Sequence, residues 1–158
     1  MTRIKMRFVL MLAAFLIVTF PSSHAGAGGY DPDFKPLDAQ ILIDECVSKQ
    51  QALLDTGVTA NMREGMAKIV GCLQDVIVEL TPVLFEPDVR TPEDTREMLD
   101  AISKAYQPFM WQLYNEFRGC PGYCGTLYHI FHLTSYANVL DDIIHQMVDQ
   151  MNEAQLTR

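Results

Sequence analysis

Apolar residues recur at steps of three and four along most of the chain after residue 36, which is the period of a helix with one buried face. No segment shows the strict alternation of apolar and polar residues that is typical of a half-buried strand. The pattern predicts an all-α fold, a small bundle of four helices. The predicted helices run from about 37 to 55, from 59 or 61 to the prolines at 82 and 87, from 92 to 118, and from 127 to about 154.

The third helix has the clearest start. Thr91 is a suitable N-cap, Pro92 fits the first helical position, and the carboxylates of Glu93-Asp94 complement the positive end of the helix. Pro108 lacks an amide hydrogen and predicts a kink near Tyr106. The large apolar residues predicted on the buried faces include Ile41, Ile43, Leu73, Ile77, Leu99, Phe109, Leu113, Phe131, Leu140 and Ile144.

The N-terminus has the three parts of a secretory signal peptide. Arg3, Lys5 and Arg7 form a positive region, residues 8–20 are an uncharged apolar run, and small residues precede a cleavage point after Ala25. The apolar run is shorter than the ~20 residues that a helix needs to cross a bilayer, which disfavours the alternative of an uncleaved anchor. The sequence therefore predicts a signal peptide at 1–25, a flexible lead-in at 26–36 and a helical domain at 37–155.

Charge narrows the classes of partner. The chain carries 12 Lys and Arg against 20 Asp and Glu, and cleavage after Ala25 leaves nine basic against twenty acidic residues, a net charge of −11. This balance disfavours nucleic acid and anionic lipid surfaces, and no segment after the leader is apolar for long enough to span a membrane. We expect a soluble mature protein with no nucleic-acid or membrane partner. A basic protein would be attracted to it, although the charge can also serve solubility alone.

Four cysteines follow the leader, at Cys46, Cys72, Cys120 and Cys124. An even number in an exported chain indicates two disulfides, and four cysteines allow three pairings. We favour Cys46–Cys72 between the first two helices and Cys120–Cys124 within a local loop, but the sequence does not choose among the three. A zinc site and a redox-active CPGYC loop are the alternatives. The C-x3-C spacing and the lack of a βαβ pattern disfavour both of them.

Several scattered residues carry a family resemblance. They are Gln50-Gln51 after Cys46, Met62, Cys72-Leu73, Ala105, Trp111, Arg118-Gly119-Cys120, Gly122, Gly125 and Leu133-Thr134. With these residues, the stretch from Met62 to about Ile144 resembles the lysozyme inhibitor LprI-like family of small exported helical domains from bacterial envelopes. The resemblance implies a non-enzymatic binding protein in the periplasm, on the cell surface or secreted, with a basic lysozyme as the most specific partner.

The resemblance also points to candidate binding residues. It marks Trp111 and Arg118, which are seven residues apart and so lie on one helix face. If the protein inhibits a lysozyme, we expect Tyr123 of the cysteine loop to contact the partner, together with neighbouring acidic residues. A structural role is the alternative: Trp111 would anchor the core, and Arg118 would bond the last carbonyls of its helix.

Two histidines suggest a different class of function. His129 and His132 are three residues apart on a predicted helix, so both rings can reach one metal ion. Asp141 and His145, four residues apart, form a second possible pair. Neither pair supplies the four ligands of a closed site, and histidines at the surface or the edge of the core are the simpler interpretation.

No motif indicates catalysis. The chain has no G-x-S-x-G, no H-E-x-x-H and no glycine-rich phosphate loop, so we expect neither an enzyme nor a bound cofactor. The leading hypothesis is an exported binding protein of the LprI-like kind. The alternatives are a periplasmic metal-binding protein using His129 and His132, and an envelope protein with a structural or secretion-linked role. The sequence does not indicate the oligomeric state.

Overall fold

The computed structural model describes residues 35–118 and 127–156, and every regular element in these two ranges is an α-helix. The predicted signal peptide and the loop with Cys120, Tyr123 and Cys124 lie outside the described residues. The all-α prediction is confirmed for the part that the structure describes. Its helices are α1 (Ala39–Ser48), α2 (Gln51–Leu54), α3 (Thr59–Leu84), α4 (Pro92–Arg118) and α5 (Leu127–Leu156).

The first predicted helix is two helices in the structure, because the chain tightens at Lys49 and Gln50. The hydroxyl of Ser48 donates to the carbonyl of Glu45 at 3.1 Å and competes with the amide of Lys49, which lies 3.4 Å from the same oxygen. The amide of Gln50 instead reaches the carbonyl of Val47, a 3₁₀-type bond of 2.9 Å. Helical geometry resumes in α2, which ends before Gly57 at a φ of 65°.

The long helices α3 and α4 begin where the sequence predicts. In the first turn of α4, the amide and hydroxyl of Thr91 donate to the carboxylate of Asp94, and the amide of Asp94 donates to the Thr91 hydroxyl at 3.1 Å. This reciprocal capping arrangement satisfies an amide that the helix cannot pair by itself. Both helices continue through a proline, α3 through Pro82 and α4 through Pro108. Pro82 lies in the last turn of α3, where a missing amide costs one helical bond and does not end the helix.

The largest interface in the described part joins α3 to α5, and α4 packs against both helices. Tyr136 of α5 lies at their meeting point. Its hydroxyl donates to the carbonyl of Leu99 on α4 at 3.1 Å and accepts from the side-chain amide of Gln74 on α3 at 3.3 Å. The side chains that are almost fully buried in the same core include Leu73, Ile77, Leu99, Leu140, Ile144 and Val148.

A disulfide between Cys46 and Cys72 joins α1 to α3, which confirms the pairing favoured from the sequence. Cys46 is 1% exposed and belongs to the hydrophobic core, so this bond fixes α1 against the main helix pair. The second predicted disulfide lies outside the described residues. Among the helices described, none is long and apolar enough to cross a membrane.

Candidate functional site

A cleft opens between the start of α3, the middle of α4 and the start of α5. It has a volume of about 620 Å³. Both histidines singled out in the sequence line it, and we call it the histidine cleft. The residues that line the histidine cleft are Ala60, Asn61, Arg63, Glu64, Ala67, Ser103, Gln107, His129, His132 and Leu133.

The two histidines differ in their surroundings. His129 is exposed, whereas His132 is only 8% exposed and its Nε2 atom has no hydrogen-bond partner among the described residues. Tyrosine rings enclose His132: the centroid of Tyr128 lies 6.3 Å away in a stacked arrangement, and that of Tyr106 lies 5.8 Å away. A buried nitrogen without a partner loses its hydration and gains no bond in return, so an incoming ligand group can stabilise it.

Burial lowers the pKa of His132, and the charge of the neighbouring His129 lowers it further. Both causes act against the protonated imidazolium, since burial removes its hydration and a second positive ring repels it. The folded state therefore holds His132 in its neutral form at pH values where the unfolded chain, with an ordinary histidine pKa of about 6.5, begins to take up a proton.

This shift predicts a pH-dependent stability. Because the unfolded chain binds more protons as the pH falls through about 6.5, the free energy of unfolding should decrease from pH 7.5 towards pH 5. His145 acts in the opposite direction, since hydrogen bonds and the charge of Asp141 raise its pKa. We expect the decrease to be smaller in His132→Gln, which retains His145. Urea unfolding of the wild-type chain and of His132→Gln at several pH values measures these changes. An equal pH dependence of the unfolding free energy in the two proteins would contradict the assignment to His132.

Charge at the histidine cleft differs from the acidic average of the chain. Arg63 is exposed and has no ion-pair partner among the described residues. Glu64 is the single carboxylate lining the cleft in the described part, and its side chain lies 2.7 Å from the ammonium of Lys68. The hydrogen bond from Lys68 lowers the pKa of Glu64. The cleft therefore combines one unpaired guanidinium with a carboxylate that is already paired.

A closed metal site is not assembled by the described residues, because no group of three His, Cys, Asp or Glu side chains is placed to hold an ion there. His129 and His132 share the cleft without a third such ligand. The second pair from the sequence forms an ion pair, with Nδ1 of His145 lying 2.8 Å from a carboxylate oxygen of Asp141.

Trp111 lies at the surface, with 41% of its area exposed. Its ring meets that of the buried Tyr128 edge-on, with the centroids 4.7 Å apart. The hydroxyl of Tyr128 donates to the carbonyl of Gln107 at 3.0 Å, one turn before Trp111 on α4. A fixed tyrosine thus supports one side of the indole. Arg118 is the last residue of α4, and its side chain is not among those described; Tyr123 lies outside the described residues.

Other apolar residues near this end of α4 are also exposed. Phe109 is 51% exposed and Leu113 is partly exposed, and Phe131 of α5 is 50% exposed, so the prediction that all three are buried is wrong. The same prediction is wrong for Ile41 of α1, which is 65% exposed. The sequence predicted correctly that Phe109, Leu113 and Phe131 lie in helices. It did not predict that the neighbouring helices leave this end of α4 uncovered. We call Phe109, Trp111 and Leu113 the α4 rim.

The sequence singled out both histidines but missed the other polar residues of their cleft. Arg63, Ser103 and Gln107 belong to no motif, and packing of three helices brings them together.

Comparisons of the chain with protein-family models, with curated proteins and with solved structures find no match. The LprI-like resemblance therefore rests on the residues quoted for it and stays a prediction.

Proposed function

We propose that this chain is an exported, non-enzymatic binding protein of a bacterial envelope that docks a basic protein through the α4 rim. Lysozyme inhibition is the most specific form of the proposal. The observation that carries it is the exposed indole of Trp111, held edge-on by Tyr128. Exposed apolar clusters mark interaction sites, and tryptophan is among the residues that contribute most to binding energy.

Pre-organisation supports the same role. The indole packs against a tyrosine whose own hydroxyl is bonded to α4, so Trp111 has less rotamer freedom to lose when a partner covers it. Phe109 and Leu113 are four residues apart and share one side of α4, while Trp111 lies towards the opposite side. Exposed apolar area therefore lies on two sides of this stretch of α4, which suits insertion into a groove of a partner.

The charge of the chain favours a basic partner. Glu97 and Asp100 lie on the same side of α4 as Trp111, about three to four turns earlier, and Lys104 lies between these carboxylates and Trp111. Both carboxylates are exposed and have no ion-pair partner among the described residues. With a net charge of −8 before cleavage of the leader, the chain attracts a cationic protein, and these two carboxylates add to that attraction on this side of α4. The Cys46–Cys72 disulfide supports delivery to an oxidising compartment.

A turbidity assay on peptidoglycan tests the specific form. We expect the mature chain, residues 26–158, to slow lysis by at least one lysozyme, and Trp111→Ala to require at least a tenfold higher concentration for the same effect. Ile41→Ala is the matched control, because Ile41 is a large apolar residue exposed on α1, away from the α4 rim. Thermal melting of each variant checks that it is folded.

Two results would contradict the proposal at different levels. Full lytic activity at a large molar excess of the mature chain removes lysozyme inhibition. Equal binding of immobilised lysozymes by the mature chain and Trp111→Ala removes the α4 rim as the docking surface.

A further inference from the structure

We infer that the histidine cleft binds a small organic anion, whose carboxylate or phosphate group is held between Arg63 and His132. The inference does not depend on the proposed docking of a protein at the α4 rim. It rests on one unpartnered buried nitrogen, one unpaired guanidinium, one uncapped helix start and the size of the cleft.

The buried imidazole supplies the first contact. Nε2 of His132 is buried without a hydrogen-bond partner, while the residue lines the cleft. In the tautomer that carries its hydrogen on Nε2, this atom donates to an oxyanion. Occupation of the cleft by such a group would satisfy a polar atom that the described residues leave unsatisfied.

Arg63 supplies the positive charge. A guanidinium can donate two parallel hydrogen bonds to a carboxylate or phosphate, and no described carboxylate occupies that of Arg63. Glu64, on the adjacent position, is held by Lys68 and so opposes an incoming anion less than a free carboxylate would. Asn61, Ser103 and Gln107 add neutral donors to the lining.

The start of α3 adds a further attraction. Val58 occupies the N-cap position and makes no side-chain capping bond, and Ala60 and Asn61 of the first turn line the cleft. The first amides of a helix have no partner within the helix, and the helix dipole places partial positive charge there. For the 26-residue α3, this end favours a negative group beside Arg63.

The size of the cleft accommodates an organic ligand. Its volume of about 620 Å³ lies within the range of ~300–1,000 Å³ that is typical of small-molecule sites. Inorganic phosphate would leave most of this space unfilled. Ala60, Ala67 and Leu133 supply apolar lining against which the carbon skeleton of a ligand can pack.

Calorimetric titration of the mature chain, at constant ionic strength set with sodium chloride, tests the inference. The probes are inorganic phosphate, phenyl phosphate and benzoate, which separate the phosphate group, the carboxylate group and the carbon skeleton. We expect saturable binding of phenyl phosphate or benzoate, tighter than that of inorganic phosphate. Arg63→Ala should raise the dissociation constant at least tenfold, and His132→Leu should also raise it.

Lys49→Ala is the matched control, since it removes one positive charge at the C-cap of α1 and Lys49 does not line the histidine cleft. Arg63 is exposed, so its variant tests the site even if His132→Leu fails to fold. The inference is overturned if no probe binds saturably below about 10 mM, or if Lys49→Ala weakens binding as much as Arg63→Ala. Binding of zinc that requires both histidines, without binding of any anion, also overturns it and favours a metal site.

Discussion

Replacing Cys46 and Cys72 by alanine together should lower the free energy of unfolding by about 3.5 kcal/mol, as loop entropy predicts for cysteines 26 residues apart. Without the bond, the unfolded chain gains conformations that the disulfide excludes. In the folded state α1 is then held by apolar contacts and by the two hydrogen bonds that join Leu37, just before α1, to Asn152 of α5. For a chain of this size the midpoint of thermal unfolding should fall by about 10–15 °C. Urea unfolding of the oxidised mature protein and of the double variant measures the change.

The replacement of Cys120 and Cys124 by alanine is the control for this measurement. If these two cysteines form the predicted second bond, it closes a loop of only a few residues, and the same relation gives a loss of about 2 kcal/mol. Reduction of the wild-type protein should reproduce the combined loss of both bonds. A Cys46→Ala/Cys72→Ala variant as stable as the oxidised wild type would contradict a stabilising role for the bond.

Local signals in the sequence predicted the beginnings of the long helices. Thr91 and Pro92 set the start of α4 through groups within one turn of the chain, and the structure shows the capping bonds between Thr91 and Asp94. The break between α1 and α2 was not predicted, because it depends on competition between Ser48 and Lys49 for one carbonyl oxygen. Apolar spacing continues across the break and conceals it.

Burial along each helix was predicted less completely than its register. Leu140 and Ile144 were placed correctly on the buried face of α5, and both are fully buried. Phe131 shares that predicted face but lies half-exposed near the start of the same helix. The helical period identifies the apolar face, whereas the positions of neighbouring helices decide how much of that face they cover.

In the candidate sites, too, the sequence predicted what depends on spacing within one helix and missed what depends on packing between helices. Spacing alone placed His129 and His132 on one helix face, and both line one cleft. Spacing could not show that Arg63 lies across that cleft, because 66 residues of chain separate Arg63 from His129. It also could not show that Trp111 is supported by Tyr128, since packing of α4 against α5 creates that contact.

Leu140→Ala should destabilise the protein by about 3 kcal/mol, within the ~2–5 kcal/mol found for buried leucines. Leu140 is 0% exposed, on the helix that shares the largest interface in the described part. Removing its side-chain carbons forfeits apolar burial and leaves a cavity in the hydrophobic core. Urea unfolding monitored by circular dichroism should show a lower midpoint with an unchanged slope, because the surface exposed on unfolding is nearly the same.

Leu113→Ala is the matched control, because it removes the same atoms from a leucine that is partly exposed on the α4 rim. Because water already contacts that side chain, its truncation removes less apolar burial and leaves no enclosed cavity. The free energy of unfolding of this variant should therefore fall by less than about 1 kcal/mol. A larger loss of unfolding free energy in Leu140→Ala than in Leu113→Ala would show that Leu140 belongs to the hydrophobic core and that Leu113 lies at its edge. Equal losses for Leu140→Ala and Leu113→Ala would mean that other parts of the protein cover the α4 rim, which would also remove it as a docking surface.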